Sequence, residues 1–176
     1  MAETRKGEVT MKGDPVELVG PRLKVGDPAP DFEAAGAGLS LVTLKDTAGK
    51  VRLFNVVPSL DTPVCSIQTR RFSQDLAALG DKVAAYTVST DLPFAQARFC
   101  GEHSIANLAN LSDAHDHSFG EHYGVLIRGL AVPLLARAIF VVDAKGTLRH
   151  VEYVPEIATE PNYDTALEAL KAAAGA

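Results

Sequence analysis

The chain has 176 residues, 47% of them hydrophobic, and a formal net charge of -5. That length suits one domain with a substantial core. Charges of both signs are interspersed, so there is no electrostatic footprint for nucleic acid or anionic lipid, and neither is expected as a partner. The polar start MAETRKGEVTMKGD has no apolar signal core, and no later stretch approaches a membrane span, which makes the cytoplasm the expected location. Two cysteines in that compartment are poor support for a structural disulfide. A pairing between them is expected to be transient and catalytic.

In chain order, Val9 to Val19 alternates around Gly13-Asp14 and predicts an N-terminal β-hairpin, with residues 1–8 as a flexible extension. VGDPAPDFEAAG from Val25 is loop, anchored by Phe32. Leu39 to Leu44 is a candidate strand, and KDTAGK turns the chain into Val51 to Val57, a β-branched run closed by Pro58 that reads as a buried strand. A helix follows, stopped near Gly80, and Val83 to Ser89 is a second buried strand. Strand, helix and strand make a βαβ unit with parallel pairing and a functional loop at the carboxyl end of the first strand. Asp91 and Pro93 start a helix, PFAQARFC, that Gly101 is expected to end, with Cys100 in its last turn. Ile105 to Leu111 reads as an edge strand, Asp116 to Tyr123 as a helix ending at Gly124, and Leu126 to Leu135, with Gly129 and Pro133, as loop. Ala136 to Val142 and Thr147 to Val154 form a hairpin around Asp143-Ala144-Lys145-Gly146. Tyr163 to Ala173 is a closing helix. The architecture is α/β with a mixed central sheet, parallel in the middle and antiparallel at the hairpin.

The chemistry concentrates on Cys65. Thr62 is placed to be an N-cap and Pro63 suits the first helical position, which sets Cys65 in the first turn. Free amides and the helix dipole favour a thiolate there. The competing reading is packing: Cys65, Phe72, Leu76 and Leu79 share one helical face, and periodicity alone favours an inert core cysteine. Arg137, a lone charge in LLARAIFVV, either meets an anion or snorkels to water. His115, His117 and His122 have no accompanying metal-ligand run and read as solvated. A Cys-His hydrolase pair is open to any of five histidines, with nothing to select one. No C-x-x-C dithiol and no glycine-rich phosphate loop is present.

Two motifs bear on these alternatives. PSLDTPVC, from Pro58 to Cys65, fits the P-x-x-x-T-x-x-C signature of peroxiredoxins, and STDLPFAQARFC, from Ser89 to Cys100, resembles the hallmark of bacterial thiol peroxidases, atypical two-cysteine peroxiredoxins. The resemblance extends through VGDPAPDF, GEHYGV and LLARAIFVVD to VPEIATEPNY. It implies a thioredoxin-like fold spanning residues 1–176 as one domain, and usually a homodimer. It also implies that Cys65 is the peroxidatic cysteine, that Pro58, Thr62 and Arg137 complete its pocket, and that Cys100 resolves the oxidised sulfur into an intramolecular disulfide. Hydroperoxides are the implied substrates and thioredoxin the implied reductant, with no metal, haem or flavin required. Relatives differ at IRGLAVPLL from Ile127 and at GEHS after Cys100. Rival readings on the same scaffold are a thiol-disulfide oxidoreductase and a peroxide sensor.

Overall fold

The computed structural model describes residues 2–175. The chain opens with β1 (Thr4–Met11) and β2 (Asp14–Val19), an antiparallel hairpin whose turn residues Lys12 and Gly13 have φ of 53° and 85°. Two positive φ values in a two-residue turn match the right-handed twist of the strands. The turn therefore sits one residue earlier than Gly13-Asp14. Of the extension expected over residues 1–8, residue 1 lies outside the described residues. The remainder is corrected: strand starts at Thr4, because Arg5 is buried and donates to the carbonyls of Gly20 and Gly124.

There follow β3 (Glu33–Ala35), β4 (Leu41–Thr43), β5 (Val51–Val56), α1 (Pro63–Leu76), β6 (Val83–Ser89), α2 (Pro93–His103), β7 (Ala109–Ser112) and α3 (Ser118–His122). The chain ends with β8 (Leu126–Arg128), β9 (Leu134–Leu135), β10 (Ala138–Val142), β11 (Leu148–Tyr153) and α4 (Tyr163–Ala174). The larger sheet has the order β11-β10-β5-β6-β7-β3-β4. β5, β6 and β7 are parallel, as a helical crossover requires, and β10 pairs antiparallel with both β5 and β11. This is the mixed sheet the sequence predicts.

Three expectations need correction. Leu126 to Leu135 is a pair of short strands rather than loop: β8 joins β2 on one side and β9 on the other, while Gly129 and Pro133 fall in the connection, where they break no ladder. β7 is interior, because β3 adds to its outer side. Gly101 does not end α2; the helix continues to His103 and Ser104 takes the left-handed cap at φ 53°. Glycine inside a helix weakens it without stopping it. Gly124, by contrast, requires glycine: its φ is 67° and a Cβ would meet the Pro21 carbonyl oxygen at 2.0 Å.

The sheet divides the core. On one face, Phe54 of β5 meets Phe32, Phe119 and Tyr123 at ring-centroid distances of 5.6, 5.3 and 5.7 Å, all edge-on. On the other, Leu53 and Ile139 pack under Phe72 and Leu76 of α1 and Ala166 and Leu170 of α4. α4 is fixed at both ends, by the Asn162 side chain accepting from the Thr165 amide at 3.2 Å and by Gly175 at φ 69°. No described helix is long and apolar enough to cross a membrane.

Asp113, fully buried after β7, accepts the amides of Phe119 and Gly120 at 3.0 and 2.8 Å and so holds the start of α3. Burial outweighs those two bonds and pushes its carboxyl up to about 6 from 3.8. The folded value lies above the unfolded one, so the stability linked to this proton is present at low pH and is lost as pH rises through about 6. In Asp113→Asn that term vanishes. Urea titrations should therefore show the variant's stability deficit growing by about 1 kcal/mol between about pH 7.5 and about pH 5.

Candidate active site

β5 runs into Val57, whose amide still bonds the Val88 carbonyl at 3.0 Å, and then into buried Pro58. Proline cannot extend the ladder, so the chain leaves the sheet at its carboxyl edge. Ser59 Oγ and the Leu60 amide donate to the Asp91 carboxylate at 2.7 and 2.8 Å, which pins the turn against the segment after β6. Thr62 is extended (φ -106°, ψ 148°), Pro63 begins α1, and Cys65 is its third residue. The amides of Val64 and Cys65 have no helical carbonyl behind them, so the positive end of α1 lies at the sulfur.

Cys65 is completely buried and reduced. Thr62 Oγ1 lies 2.8 Å from its Sγ and donates to it, and Arg137 Nη2 donates at 3.3 Å. The Thr62 hydroxyl also lies 2.9 Å from the Ser59 carbonyl and has one proton to give. A thiol can donate to Thr62 Oγ1 while the hydroxyl turns to Ser59; a thiolate takes the hydroxyl's proton for itself. Arg137 is 2% exposed, just before β10, so it does not snorkel. Its Nε donates to the Ile157 carbonyl at 2.8 Å and its Nη1 to Gln68 Oε1 at 2.7 Å. Both oxygens are neutral. Of the three groups that accept from this buried guanidinium, the sulfur is the ionisable one.

Cys100 faces elsewhere. It is half-buried in α2, packed at the edge of the cluster that holds Val57, Leu60, Cys65 and Phe99, and its sulfur accepts from Asn110 Nδ2 at 3.0 Å. Burial pushes its thiol up, and the Asn110 hydrogen bond pulls partly back. Both cysteines are free thiols. A cavity of about 270 Å³ beside the Cys65 turn is lined by Thr62, Pro63 and Ser66 on one side and Phe99, Glu102 and His103 on the other.

Residues 24–167 match the family model described as Redoxin. A thiol peroxidase of Bacillus subtilis (strain 168) is 52% identical over 165 residues, covering 94% of this chain and 97% of the relative. A thiol peroxidase of Streptococcus pneumoniae (strain ATCC BAA-255 / R6) is 50% identical over 164 residues, covering 93% and 99%. The crystal structure of a peroxiredoxin-like protein from Aquifex aeolicus superimposes with a TM-score of 0.87 at 42% identity, covering 95% of this chain and 98% of that one. The chain belongs to the redoxin family, among its thiol peroxidases.

The fold is thus the thioredoxin-like one, and the enzyme is a thiol-dependent peroxidase. Of the residues singled out from sequence, Cys65, Thr62 and Arg137 converge on one sulfur, Pro58 heads their loop, and Cys100 stands apart with its own partner. Others in this thiol peroxidase escaped sequence reasoning. Gln68 and Asn55 extend the Arg137 chain inward: Gln68 Nε2 donates to Asn55 Oδ1, and Asn55 Nδ2 donates to Thr69 and Thr87 at 3.1 Å each. The signals were an amide in the apolar run VRLFNVV and a polar residue one helical turn after Cys65. The Ile157 carbonyl gave none. His117 and His122 set Nδ1 against backbone carbonyls, and His115 is exposed beside Glu33 and Asp116.

Proposed function

We propose that this thiol peroxidase reduces hydrogen peroxide and organic hydroperoxides at Cys65, that Cys100 resolves the product, and that thioredoxin returns both cysteines to thiols. The observation that carries this reading is the pair of donors on Cys65 Sγ, Thr62 Oγ1 at 2.8 Å and Arg137 Nη2 at 3.3 Å, in the first turn of a helix. The thiolate attacks the distal oxygen of ROOH, an S–O bond forms as O–O breaks, and RO⁻ takes a proton to leave as ROH. Charge passes from sulfur to oxygen under donors already in place, and fixed donors of this type supply roughly 3 to 4 kcal/mol each in other enzymes. Pro58, buried at the head of the loop, keeps water from the sulfur. The cavity lined by Thr62 and Ser66 is the approach for a small hydroperoxide.

The Cys100 thiol then attacks the Cys65 sulfenic acid: S–S forms, S–O breaks, and water leaves. Dithiol exchange with thioredoxin restores two thiols. The Cys100 sulfur must leave Asn110 to do this, and since α2 runs on through Gly101 to His103, its end has to unwind. The complete burial of Cys65 argues against direct exchange with protein disulfides, which are too bulky to reach a sulfur beneath this turn. A cytoplasmic homodimer is the working form in this reading. In Cys100→Ser the first oxidation is expected to stay fast, the sulfenic acid on Cys65 to persist long enough for trapping by dimedone, and thioredoxin-supported turnover to collapse. Normal recycling by that variant would make Cys100 a packing residue.

A further inference from the structure

Asp91 lies between β6 and α2, outside the Cys65 pocket, yet three donors converge on its carboxylate. Ser59 Oγ is 2.7 Å from Oδ1, and the Leu60 amide and Ser89 Oγ are each 2.8 Å from Oδ2. Ser89 Oγ also accepts from Gln96 Nε2 of α2 at 3.0 Å, and the Asp91 carbonyl accepts from Ser112 Oγ of β7 at 2.6 Å. One carboxylate thus joins the turn that carries Thr62 and Cys65 to the base of the helix that carries Cys100. Leu60 is 3% exposed, so its amide has little access to water as an alternative acceptor. The surrounding groups all donate, and only an acceptor without hydrogens satisfies them together.

We infer that Asp91 is a positioning residue that holds the peroxidatic turn closed, and so sets how the enzyme divides its time between the closed, oxidisable pocket and the open state that forms the disulfide. The inference rests on the assignment of Cys65 and Cys100 proposed above. Closed, Thr62 and Arg137 meet on the Cys65 sulfur and attack on the hydroperoxide is fast. Open, the Cys65 sulfenic acid leaves those donors and meets the Cys100 thiol, losing water as S–S forms. A sulfenate that lingers in the closed pocket instead attacks a second hydroperoxide, gaining an oxygen to become sulfinic acid and releasing ROH. Weakening the Asp91 bonds therefore moves two consecutive steps in opposite directions. Asp91→Asn keeps an acceptor for Ser59 but sets an NH₂ against a donor; Asp91→Ala removes all three carboxylate bonds and keeps the backbone bond from Ser112.

The test is a chemical-quench time course on the full-length protein with hydrogen peroxide, comparing wild type, Asp91→Asn, Asp91→Ala and Arg98→Ala. Arg98→Ala removes an exposed 3.0 Å ion pair between α2 and Asp61, a tie expected to contribute little. In Asp91→Ala the first oxidation should slow by about tenfold or more. Disulfide formation from the sulfenic acid should quicken, and the peroxide concentration that gives half sulfinic acid should rise, each by about threefold or more, as expected for the loss of several hydrogen bonds that hold the closed turn. Asp91→Asn should fall between, and Arg98→Ala should match wild type. A merely structural Asp91 would lower thermal stability without this opposed pair of changes. Unchanged partitioning, or both steps slowing together, overturns the inference. Wild type that forms no Cys65 to Cys100 linkage overturns the assignment of Cys100 instead, a result distinct from linkage present with partitioning unchanged.

Discussion

Cys65→Ser is expected to abolish peroxide reduction, with turnover falling by more than about a thousandfold while the fold persists. A serine hydroxyl stays neutral at pH values where a cysteine is already in part thiolate, and oxygen is a poorer nucleophile toward peroxide than sulfur. The Thr62 and Arg137 donors would then face a group with no charge to offer them. Volume changes little at this fully buried position, and a hydroxyl can still pair with Thr62 Oγ1, so stability should shift by about 1 kcal/mol or less. The assay is hydroperoxide consumption in a thioredoxin-coupled system, with circular dichroism on the same sample. A folded variant that retains turnover would remove Cys65 from the chemistry.

The second large effect is at Arg137. Arg137→Met keeps an unbranched side chain of similar reach and removes the guanidinium charge that touches the sulfur, leaving Gln68 Oε1 and the Ile157 carbonyl without their donor. Oxidation of Cys65 should slow by about a hundredfold or more, the order seen when one preorganised donor is removed elsewhere. Stability should change less than the buried location suggests, because the desolvation cost of burying the guanidinium disappears together with its hydrogen bonds. Arg137→Lys, charged but without the planar fork, should recover part of the rate and not all of it. The chain has no tryptophan, so the single-turnover reaction is followed by chemical quench rather than intrinsic fluorescence. If Met, Lys and Arg at this position oxidise at the same rate, the arginine is structural.

The frame of this site was legible because its signals are local. Val51 to Val57 closed by Pro58, then Thr62 and Pro63, mark a strand end and a helix start within a dozen residues, and the structure has β5 and α1 there. Arg137 was visible as a charge without a neighbour, but its partner lies 72 residues away, a distance no periodicity encodes. For the same reason Gln68 and Asn55 escaped notice until the Arg137 chain joined them, and Asp91 read only as a helix-start signal although its main bonds run back to Ser59 and Leu60. Short elements with distant partners were the ones misread. β8 and β9 are three and two residues long and are strands only because β2, more than a hundred residues earlier, offers β8 an edge. α2 passed its glycine because nothing at Gly101 demands a positive φ, whereas Ser104 has one.

The most direct test of the account is the order in which the two sulfurs change. Reduced wild-type enzyme, mixed with one equivalent of hydrogen peroxide, quenched at intervals with dimedone and with a thiol-blocking reagent, and digested for mass spectrometry, should show the first oxygen on Cys65 alone. That signal should then decay into a peptide pair joined through Cys65 and Cys100, with no early oxidation of Cys100. First oxidation at Cys100, or a Cys65 sulfenic acid that never converts to the Cys65 to Cys100 linkage, would contradict it.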